Sequence, residues 1–293
     1  MDLLRLVNEG LPAVEKELNF SFARHTTIGS GGCAAVALYP SDILQAAACI
    51  AFLENNGVPY CFLGAGANVL PRDGAFEGAV IRFQRMKTLS FENELYADAG
   101  VTGGELLSFA ERHSVTGFEP FAGIPTTVGG GVAMNAGIPE RHFCDLVVRV
   151  VACKKGEIQT LSNEMCRFSQ KSSVFLEEKI AVLGVYYKAE HLPQAEIRER
   201  TKHYLERRAH LPKGRSMGCT FVNPEGISAG ALIDGCGLKG RRVGRAFISE
   251  EHANFIINEG ACSEDIARLI DEVKNEVFRK TGILLREEVR RIP

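Results

Sequence analysis

Residues 121–137, FAGIPTTVGGGVAMNAG, carry five glycines in seventeen positions. Glycine has no Cβ atom, so this stretch lets another group approach the backbone closely. A shorter stretch of the same kind, LGAGAN at residues 63–68, stands at the end of a predicted strand. Successive N–H groups in such turns form concave anion sites that suit a pyrophosphate. Either stretch alone could be a pair of structural turns, but the two together favour a flavin dinucleotide.

Outward from these two loops, the sequence alternates between helical and β-rich segments. The pair Ser41-Asp42 after Pro40 is positioned to cap a helix that starts at Ile43, and Gly57 closes the helical pattern. We predict helices at 1–20, 43–56, 104–113, 194–210 and 263–281, and strands at 59–63, 78–83, 146–152, 157–161, 180–188, 220–222, 243–248, 255–258 and 287–292. Because both halves mix helices and strands, each is predicted to be α+β.

Composition excludes several classes of partner. The formal net charge is −2, from 34 basic and 36 acidic residues, which gives no general reason to bind nucleic acid or an anionic membrane. The nine cysteines form no C-x-x-C pair, and the seven histidines show no metal-binding spacing, so we predict free thiols and no metal site. No apolar run approaches the roughly 20 residues that span a bilayer, and no signal peptide is evident. We expect a soluble, cytoplasmic protein.

Two short motifs match known patterns in the wrong structural context. Residues 235–240, GCGLKG, fit the dinucleotide-binding pattern G-x-G-x-x-G, but a helix precedes them and a strand follows. Residues 214–218, GRSMG, fit the hydrolase pattern G-x-S-x-G, with Asp234 and His252 downstream, but a charged helix and Pro212 precede the serine. We interpret both as loops.

Several motifs occur in the order of one known family. They are residues 26–32 (TTIGSGG), 63–68 (LGAGAN), 123–130 (GIPTTVGG), 134–137 (MNAG), 218–224 (GCTFVNP), 229–234 (AGALID), 237–240 (GLKG), 252–258 (HANFIIN) and 287–290 (EEVR). From about residue 20 to the end, the chain resembles the UDP-N-acetylenolpyruvoylglucosamine reductase family of peptidoglycan synthesis. No room is evident for the long substrate-covering loop of one subgroup, so the resemblance is to the shorter, type II-like subgroup.

The resemblance implies a vanillyl-alcohol-oxidase/PCMH-type FAD-binding domain followed by an α+β substrate-binding domain. It places an FAD-binding region at 1–190, with subdomains at about 1–85 and 86–190, a helical linker at 191–212, and a substrate-binding domain at 213–293 whose last strand returns to the active site. The positions that match the family's FAD loops are Gly64, Ala65, Gly66, Ala67, Asn68, Val69, Pro125, Thr126, Thr127, Gly129, Gly130, Asn135, Ala136 and Gly137.

The implied chemistry is hydride transfer from NADPH to FAD and then to C3 of the enolpyruvyl group of UDP-N-acetylglucosamine enolpyruvate, with a proton donated at C2. Cys219 stands where the family has a serine or cysteine proton donor. A thiol with a pKa of about 8.5 is mostly protonated at neutral pH and is a reasonable acid. Glu288 matches the carboxylate that assists the enolate, although its neighbour Glu287 could be confused with it. For Cys219, the alternative is an inert buried thiol.

The substrate contacts that the family implies are less well matched. Lys171 stands where the family has an arginine that polarises the substrate carboxylate; it keeps the charge but loses the two-pronged grip of a guanidinium. Arg167 is an alternative for this role, and an ordinary surface lysine is another interpretation. Arg207 and Asn223 match residues that bind the nucleotide sugar, while Arg207 could equally belong to a solvated helix face.

Two other functions remain open at this point. Another FAD-dependent oxidase or dehydrogenase of the same fold would use the glycine loops but not Cys219 and Glu288, and its reactivity toward oxygen would distinguish it. A catalytically inactive flavin-binding protein would bind FAD without turnover.

Overall fold

The computed structural model describes residues 3–293, which form two compact units. The first unit comprises residues 3–18, 35–65 and 77–209, and the second comprises residues 19–34, 66–76 and 210–293. This division differs from the predicted domain boundaries at 190 and 212. The two short N-terminal stretches group with the C-terminal part, because their apolar residues Ile28 and Leu70 are buried in its core. The predicted linker helix belongs to the first unit.

The helices of the described chain are α1 (Leu3–Gly10), α2 (Phe22–His25), α3 (Ile43–Asn55), α4 (Gly103–Arg112), α5 (Val128–Ala133), α6 (Val174–Glu177), α7 (Gln194–Arg208), α8 (Ala229–Gly235) and α9 (Ser263–Thr281). The strands are β1 (Glu15–Ser21), β2 (Cys33–Tyr39), β3 (Tyr60–Phe62), β4 (Val69–Pro71), β5 (Ala75–Ile81), β6 (Leu89–Phe91), β7 (Leu95–Asp98), β8 (Val115–Thr116), β9 (Gly137–Ile138), β10 (Arg141–His142), β11 (Val147–Lys154), β12 (Glu157–Ser162), β13 (Ala181–Tyr187), β14 (Glu190–His191), β15 (Arg242–Val243), β16 (Ala246–Ile248), β17 (Ile256–Asn258) and β18 (Arg290–Ile292).

The first unit contains a five-stranded antiparallel sheet in the order β12-β11-β13-β7-β6. The hairpin of β11 and β12 was predicted, and its turn residues Lys155 and Gly156 both have the positive φ that a tight two-residue turn needs. Helix α5 packs against β13, and α4 buries Leu106 and Ala110 in the same core. Because the second glycine-rich loop runs directly into α5, this core holds that loop against the sheet.

Helix α3 lies beside a second sheet, most of whose residues belong to the first unit. This sheet has the order β1-β2-β5-β3, and β3 and β5 are parallel. Asp42 caps α3 as predicted, because its carboxylate accepts a hydrogen bond from Gln45 N at 2.8 Å. Apolar side chains of α3 share a core with Leu183 of β13. Strand β3 ends at Phe62, immediately before the first glycine loop.

The second unit packs α8 and α9 with a three-stranded antiparallel sheet, β15-β16-β17. The bounds of α9 are those predicted, and Gly282 ends it with a φ of +74°. The last strand, β18, pairs in parallel with β4, the strand that follows the first glycine loop. This pairing carries the C-terminal segment to the end of that loop.

Four predicted elements differ from the structure. The single strand predicted at 243–248 is instead the antiparallel pair β15 and β16, because the chain turns at Gly244, which has a φ of +53°. The first two positions of the helix predicted at 1–20 lie outside the described residues, and the prediction is wrong beyond Gly10, since Pro12 cannot continue the helix and β1 follows. The strand at 220–222 is reduced to single bridges, because the Asn254 side chain both accepts from Phe221 N (2.9 Å) and donates to Phe221 O (2.8 Å). The terminal strand begins at Arg290 rather than at 287.

Candidate functional site

The first glycine loop offers backbone donors to a ligand. Within the described chain, the N–H groups of residues 64–67 make no hydrogen bond, so four consecutive donors are available. A Cβ atom added to Gly64 would lie 2.6 Å from Thr127 Oγ1, and one added to Gly66, at a φ of +69°, would overlap the His25 carbonyl. Both positions therefore require glycine.

The second glycine loop is built differently, because much of its glycine content serves internal packing. A Cβ at Gly129 would lie 3.0 Å from the Ala99 side chain, and one at Gly131 would lie 2.9 Å from the Phe143 ring. The N–H group of Gly129 donates to Ala99 O at 2.9 Å. These contacts let α5 pack closely, so only part of the glycine pattern reflects the approach of a ligand.

The two loops meet within the first unit at Gly64. Its added Cβ would lie 3.8 Å from Gly130 Cα as well as against Thr127, whose hydroxyl caps α5 by accepting from Gly130 N at 3.3 Å. Gly64 and the start of α5 therefore form one cradle with a bare surface. Such a cradle fits the pyrophosphate of FAD, with the N–H groups of residues 64–67 as the donors. Pro125 contributes no N–H donor.

A residue that the sequence analysis missed lies behind the first loop. Arg82 is only 3% exposed and donates from Nη2 to the Gly64 carbonyl at 3.3 Å. Burial lowers the pKa of its guanidinium, while the neighbouring Tyr39 and Glu17 favour the charged form. The sequence does indicate that Arg82 is unusual, because it is a single cation at the end of the apolar run 79–81.

The last predicted FAD contacts lie beyond the end of α5 and are largely engaged within the protein. The N–H groups of Asn135 and Ala136 donate to Val132 O (3.0 Å) and Gly131 O (2.8 Å), which closes the helix. The Asn135 side chain donates to Ser169 O and accepts from Cys144 N, both at 3.0 Å. These hydrogen bonds give Asn135 an internal role.

In the second unit, the backbone of Thr220, the residue next to Cys219, is hydrogen-bonded to two other segments of the chain. Thr220 N donates to Asn254 O (2.8 Å), and Glu288 N donates to Thr220 O (2.8 Å). Asn68, the last residue of the first glycine loop, donates from Nδ2 to the carbonyl of Glu288 at 3.0 Å. In the second unit, Asn68 of the first glycine loop, Thr220 next to Cys219, and Glu288 thus form one hydrogen-bonded group.

Asn254 is the second residue that the sequence analysis missed as a support for this group. It is 2% exposed and holds the backbone of Phe221 with both ends of its amide, as described above. Buried amides are retained where both ends find partners. An asparagine inside the otherwise apolar run 253–257 is the sequence signal for such a role.

Glu287 and Glu288 differ in their surroundings. The Glu287 carboxylate accepts from Lys274 Nζ and Arg291 Nε, both at 3.0 Å. Burial of Glu287 opposes its ionisation, but the hydrogen bonds from Arg291 and Lys274 outweigh it and lower the pKa of this carboxyl. Glu287 thus belongs to an ion-pair network with Lys274 and Arg291.

Lys171 and Arg167 both lie in the first unit, and their environments also differ. The Arg167 guanidinium pairs with Glu178 and lies 3.6 Å from Glu177 Oε2. Lys171 sits in a tight turn of residues 169–172 with a φ of +59°. The ion pairs of Arg167 lie at the surface, and Lys171 remains the residue that the family resemblance aligns with the arginine.

The two predicted substrate-binding residues lie in different units. Arg207 of α7 forms an ion pair with Glu140 at 2.8 Å, and its guanidinium lies 5.4 Å from the centre of the Tyr204 ring. Asn223 accepts a hydrogen bond from Ala229 N at 3.0 Å and so supports the start of α8. Both side chains therefore have a structural contact in addition to the predicted role.

The paired glycine loops and the α+β cores define an FAD-binding protein with the vanillyl-alcohol-oxidase type of flavin domain. Comparison with family profiles agrees with this class. An FAD binding domain profile matches residues 34–162, and the profile of the UDP-N-acetylenolpyruvoylglucosamine reductase C-terminal domain matches residues 209–292.

Relatives that align with nearly the whole chain identify the family more specifically than the two profiles do. Two proteins described as UDP-N-acetylenolpyruvoylglucosamine reductase are each 36% identical: that of Geotalea uraniireducens with 95% of both chains covered, and that of Geobacter metallireducens with 92% of this chain and 91% of the relative. The crystal structure of the reductase from Thermus caldophilus has a TM-score of 0.81 at 33% identity and covers 96% of this chain and 99% of its own. The chain belongs to the UDP-N-acetylenolpyruvoylglucosamine reductase family.

More distant structures share only the fold. The glucose dehydrogenase Phl p 4.0202 has a TM-score of 0.55 at 13% identity and covers 66% of this chain and 45% of its own. Within residues 3–293, no helix combines the length and the apolar character that crossing a bilayer demands.

Proposed function

We propose that this chain is an FAD-dependent reductase that converts UDP-N-acetylglucosamine enolpyruvate to UDP-N-acetylmuramate with NADPH, in cytoplasmic peptidoglycan precursor synthesis. The observation that supports the proposal is the hydrogen-bonded group of Asn68, Thr220 and Glu288 in the second unit, which includes the last residue of the first glycine loop and the neighbour of Cys219. The nine cysteines are free thiols, which suits a reducing compartment.

When bound, FAD supplies hydride transfer, accepting a hydride from the nicotinamide and delivering it to C3 of the enolpyruvyl group. The Cys219 thiol donates its proton to C2 as the new C–H bond forms at C3, and the thiolate then recovers a proton from water. Glu288 assists the enolate that develops on the substrate carboxylate. The balance is one hydride and one proton added across the double bond.

The remaining residues orient the substrate. The Lys171 ammonium group pairs with the substrate carboxylate and so stabilises the negative charge that develops there. Arg207 pairs with the diphosphate of the nucleotide sugar, in exchange for its ion pair with Glu140. Asn223 contributes a polar contact to the nucleotide sugar. Each of these contacts acts on the substrate and not on the nicotinamide, so it belongs to the second half of the reaction.

The test separates the two halves of the reaction. The purified protein should be yellow, NADPH should bleach it without oxygen, and UDP-N-acetylglucosamine enolpyruvate should restore the colour. A bleached protein that the substrate does not recolour would contradict the proposal. Rapid recolouring by air together with no response to the enolpyruvyl sugar would instead indicate an oxidase of the same fold.

A matched pair of variants tests the carboxylate assignment. Glu288→Gln should slow flavin reoxidation by the enolpyruvyl substrate by about 10²-fold or more, because the developing charge loses its assistance. Glu287→Gln should leave that rate within about threefold and cost about 1 kcal/mol of stability from its ion pairs. Stopped-flow reoxidation and thermal unfolding measure the two effects.

The pH dependence of stability gives a second readout for Glu287. Because its folded pKa is lowered, its ion pairs stabilise the protein above the ordinary glutamate pKa, and this contribution is lost as the pH falls through the folded value. The difference in melting temperature between Glu287→Gln and the parent should therefore shrink on acidification. If Glu287→Gln abolished reoxidation while Glu288→Gln did not, the assignment would be reversed.

A further inference from the structure

We propose that the Asn135 side chain couples the second flavin loop to the turn that carries Lys171, which makes Asn135 a positioning residue for the Lys171 ammonium group. The inference rests on the proposed function, in which Lys171 acts on the substrate carboxylate. It assigns Asn135 a role that differs from the direct FAD contact implied by the family resemblance.

The turn that carries Lys171 is tight and strained. Ser169 N donates to Ser172 O at 3.0 Å, and Ser172 N donates to Ser169 O at 3.3 Å, so residues 169–172 close on themselves. Lys171 occupies the left-handed region at a φ of +59°, which L side chains rarely adopt. Strained residues persist only where their surroundings hold them, and they concentrate at functional sites.

Two side chains fasten this turn to the end of α5. Asn135 Nδ2 donates to Ser169 O at 3.0 Å, and Ser173 Oγ donates to Ala133 O at 2.6 Å. Ser173 is fully buried and Asn135 is 5% exposed. The turn is therefore fixed at both of its ends, to Ala133, the last residue of α5, and to Asn135 two residues beyond it.

An asparagine suits this position for two reasons. Its backbone lies at a φ of +42°, a region that asparagine tolerates better than most other residues. Its amide provides a donor for Ser169 O and an acceptor for Cys144 N at the same time. An aspartate would lose the donor, and an alanine would lose both groups and strain the backbone.

The coupling follows from how α5 is held. The hydroxyl of Thr127 caps the start of this six-residue helix next to Gly64. Asn135 lies two residues beyond the other end of the helix. A ligand that orders the cradle at Gly64 and Thr127 therefore also orders the anchor of the Lys171 turn.

The test uses Asn135→Gly, which removes both side-chain hydrogen bonds but keeps the backbone conformation favourable. Both half-reactions are measured anaerobically on protein reconstituted with saturating FAD, so that a change in FAD affinity is separated from the two rates. Reoxidation by the enolpyruvyl substrate should fall by about tenfold to hundredfold, since a displaced catalytic group costs this much. In a Lys171→Met background, Asn135→Gly should slow reoxidation less than about twofold further, because Asn135 acts through Lys171.

Asn163→Ala is the matched structural control. Asn163 Nδ2 donates to Cys144 O (2.8 Å) and Val147 O (2.7 Å), so this variant loosens the same neighbourhood without touching the Lys171 turn. It should lower the melting temperature without a selective loss of reoxidation. If Asn163→Ala and Asn135→Gly slowed reoxidation equally, or if Asn135→Gly acted fully in the Lys171→Met background, the positioning role would be overturned.

Hydrogen exchange tests the coupling even if the enolpyruvyl sugar is not the substrate. In the parent, loading with FAD should slow exchange of the Ser169 and Ser172 amides, and Asn135→Gly should abolish this FAD-dependent protection. Protection that survives in Asn135→Gly would refute the coupling. A parent protein that shows the protection but no reoxidation would refute the proposed function alone.

Discussion

Cys219→Ala is expected to slow flavin reoxidation by UDP-N-acetylglucosamine enolpyruvate by about 10²- to 10⁴-fold, the usual contribution of a positioned general acid. Reduction of the flavin by NADPH should change less than about twofold, because that half of the reaction needs no proton at the substrate C2. Anaerobic stopped-flow absorbance measures the two rates separately. The split distinguishes loss of the proton donor from damage to the flavin site.

Two further cysteine variants control for the loss of a thiol. Cys219→Ser keeps a proton donor and should retain more of the reoxidation rate than Cys219→Ala. Cys33→Ala removes an exposed thiol that has no role in the proposed chemistry and should leave both rates unchanged. Equal losses of reduction and reoxidation in Cys219→Ala would show that the change disturbs the flavin instead of the proton transfer.

Gly64→Ala is expected to weaken FAD binding by about tenfold to hundredfold, which corresponds to the 1–3 kcal/mol that overpacking usually costs. The added methyl group would lie 2.6 Å from Thr127 Oγ1, in the cradle where the two glycine loops meet. Either the loops separate or the Thr127 cap of α5 shifts, and both changes displace the N–H donors. Flavin content after purification and a fluorescence titration of the apoprotein with FAD measure the effect.

Gly104→Ala provides the control for an added methyl group. Gly104 lies in α4, and a Cβ atom there would have no other atom within 4 Å. FAD binding should be unchanged, and stability should rise slightly because alanine favours a helix. If Gly64→Ala bound FAD as tightly as Gly104→Ala does, the meeting point of the loops would not be part of the FAD site.

Much of the fold could be predicted from the sequence. The pattern of α9 had a clear apolar period and a glycine stop, and its bounds of Ser263–Thr281 agree with the prediction. The hairpin of β11 and β12 and the cap of α3 were also predicted correctly. Local signals of this kind, a cap, a tight turn or a periodic face, act within a few residues and are visible in one dimension.

The errors arose where distant residues decide the backbone. Asn254 occupies the hydrogen-bonding groups of Phe221 and so prevents a regular strand there, although the local composition favours one. The grouping into compact units also depends on long-range contacts, because Ile28 and Leu70 are buried in the core of the second unit; the predicted domain boundaries themselves stay a prediction. In both cases the residue that makes the contact lies far away in the sequence, so the local secondary-structure propensity does not reveal it.

Through the two glycine-rich loops and the ordered motifs, the sequence by itself determined the family and the FAD-binding class, and the family comparisons confirm both. Only the tertiary structure showed that Lys274 and Arg291 both donate hydrogen bonds to the Glu287 carboxylate. It also changed the interpretation of the opening stretch 121–137, where Gly129 and Gly131 serve close helix packing while Gly130 faces Gly64. The physical reason is that a glycine looks the same in sequence whether its missing side chain makes room for a ligand or for the protein itself.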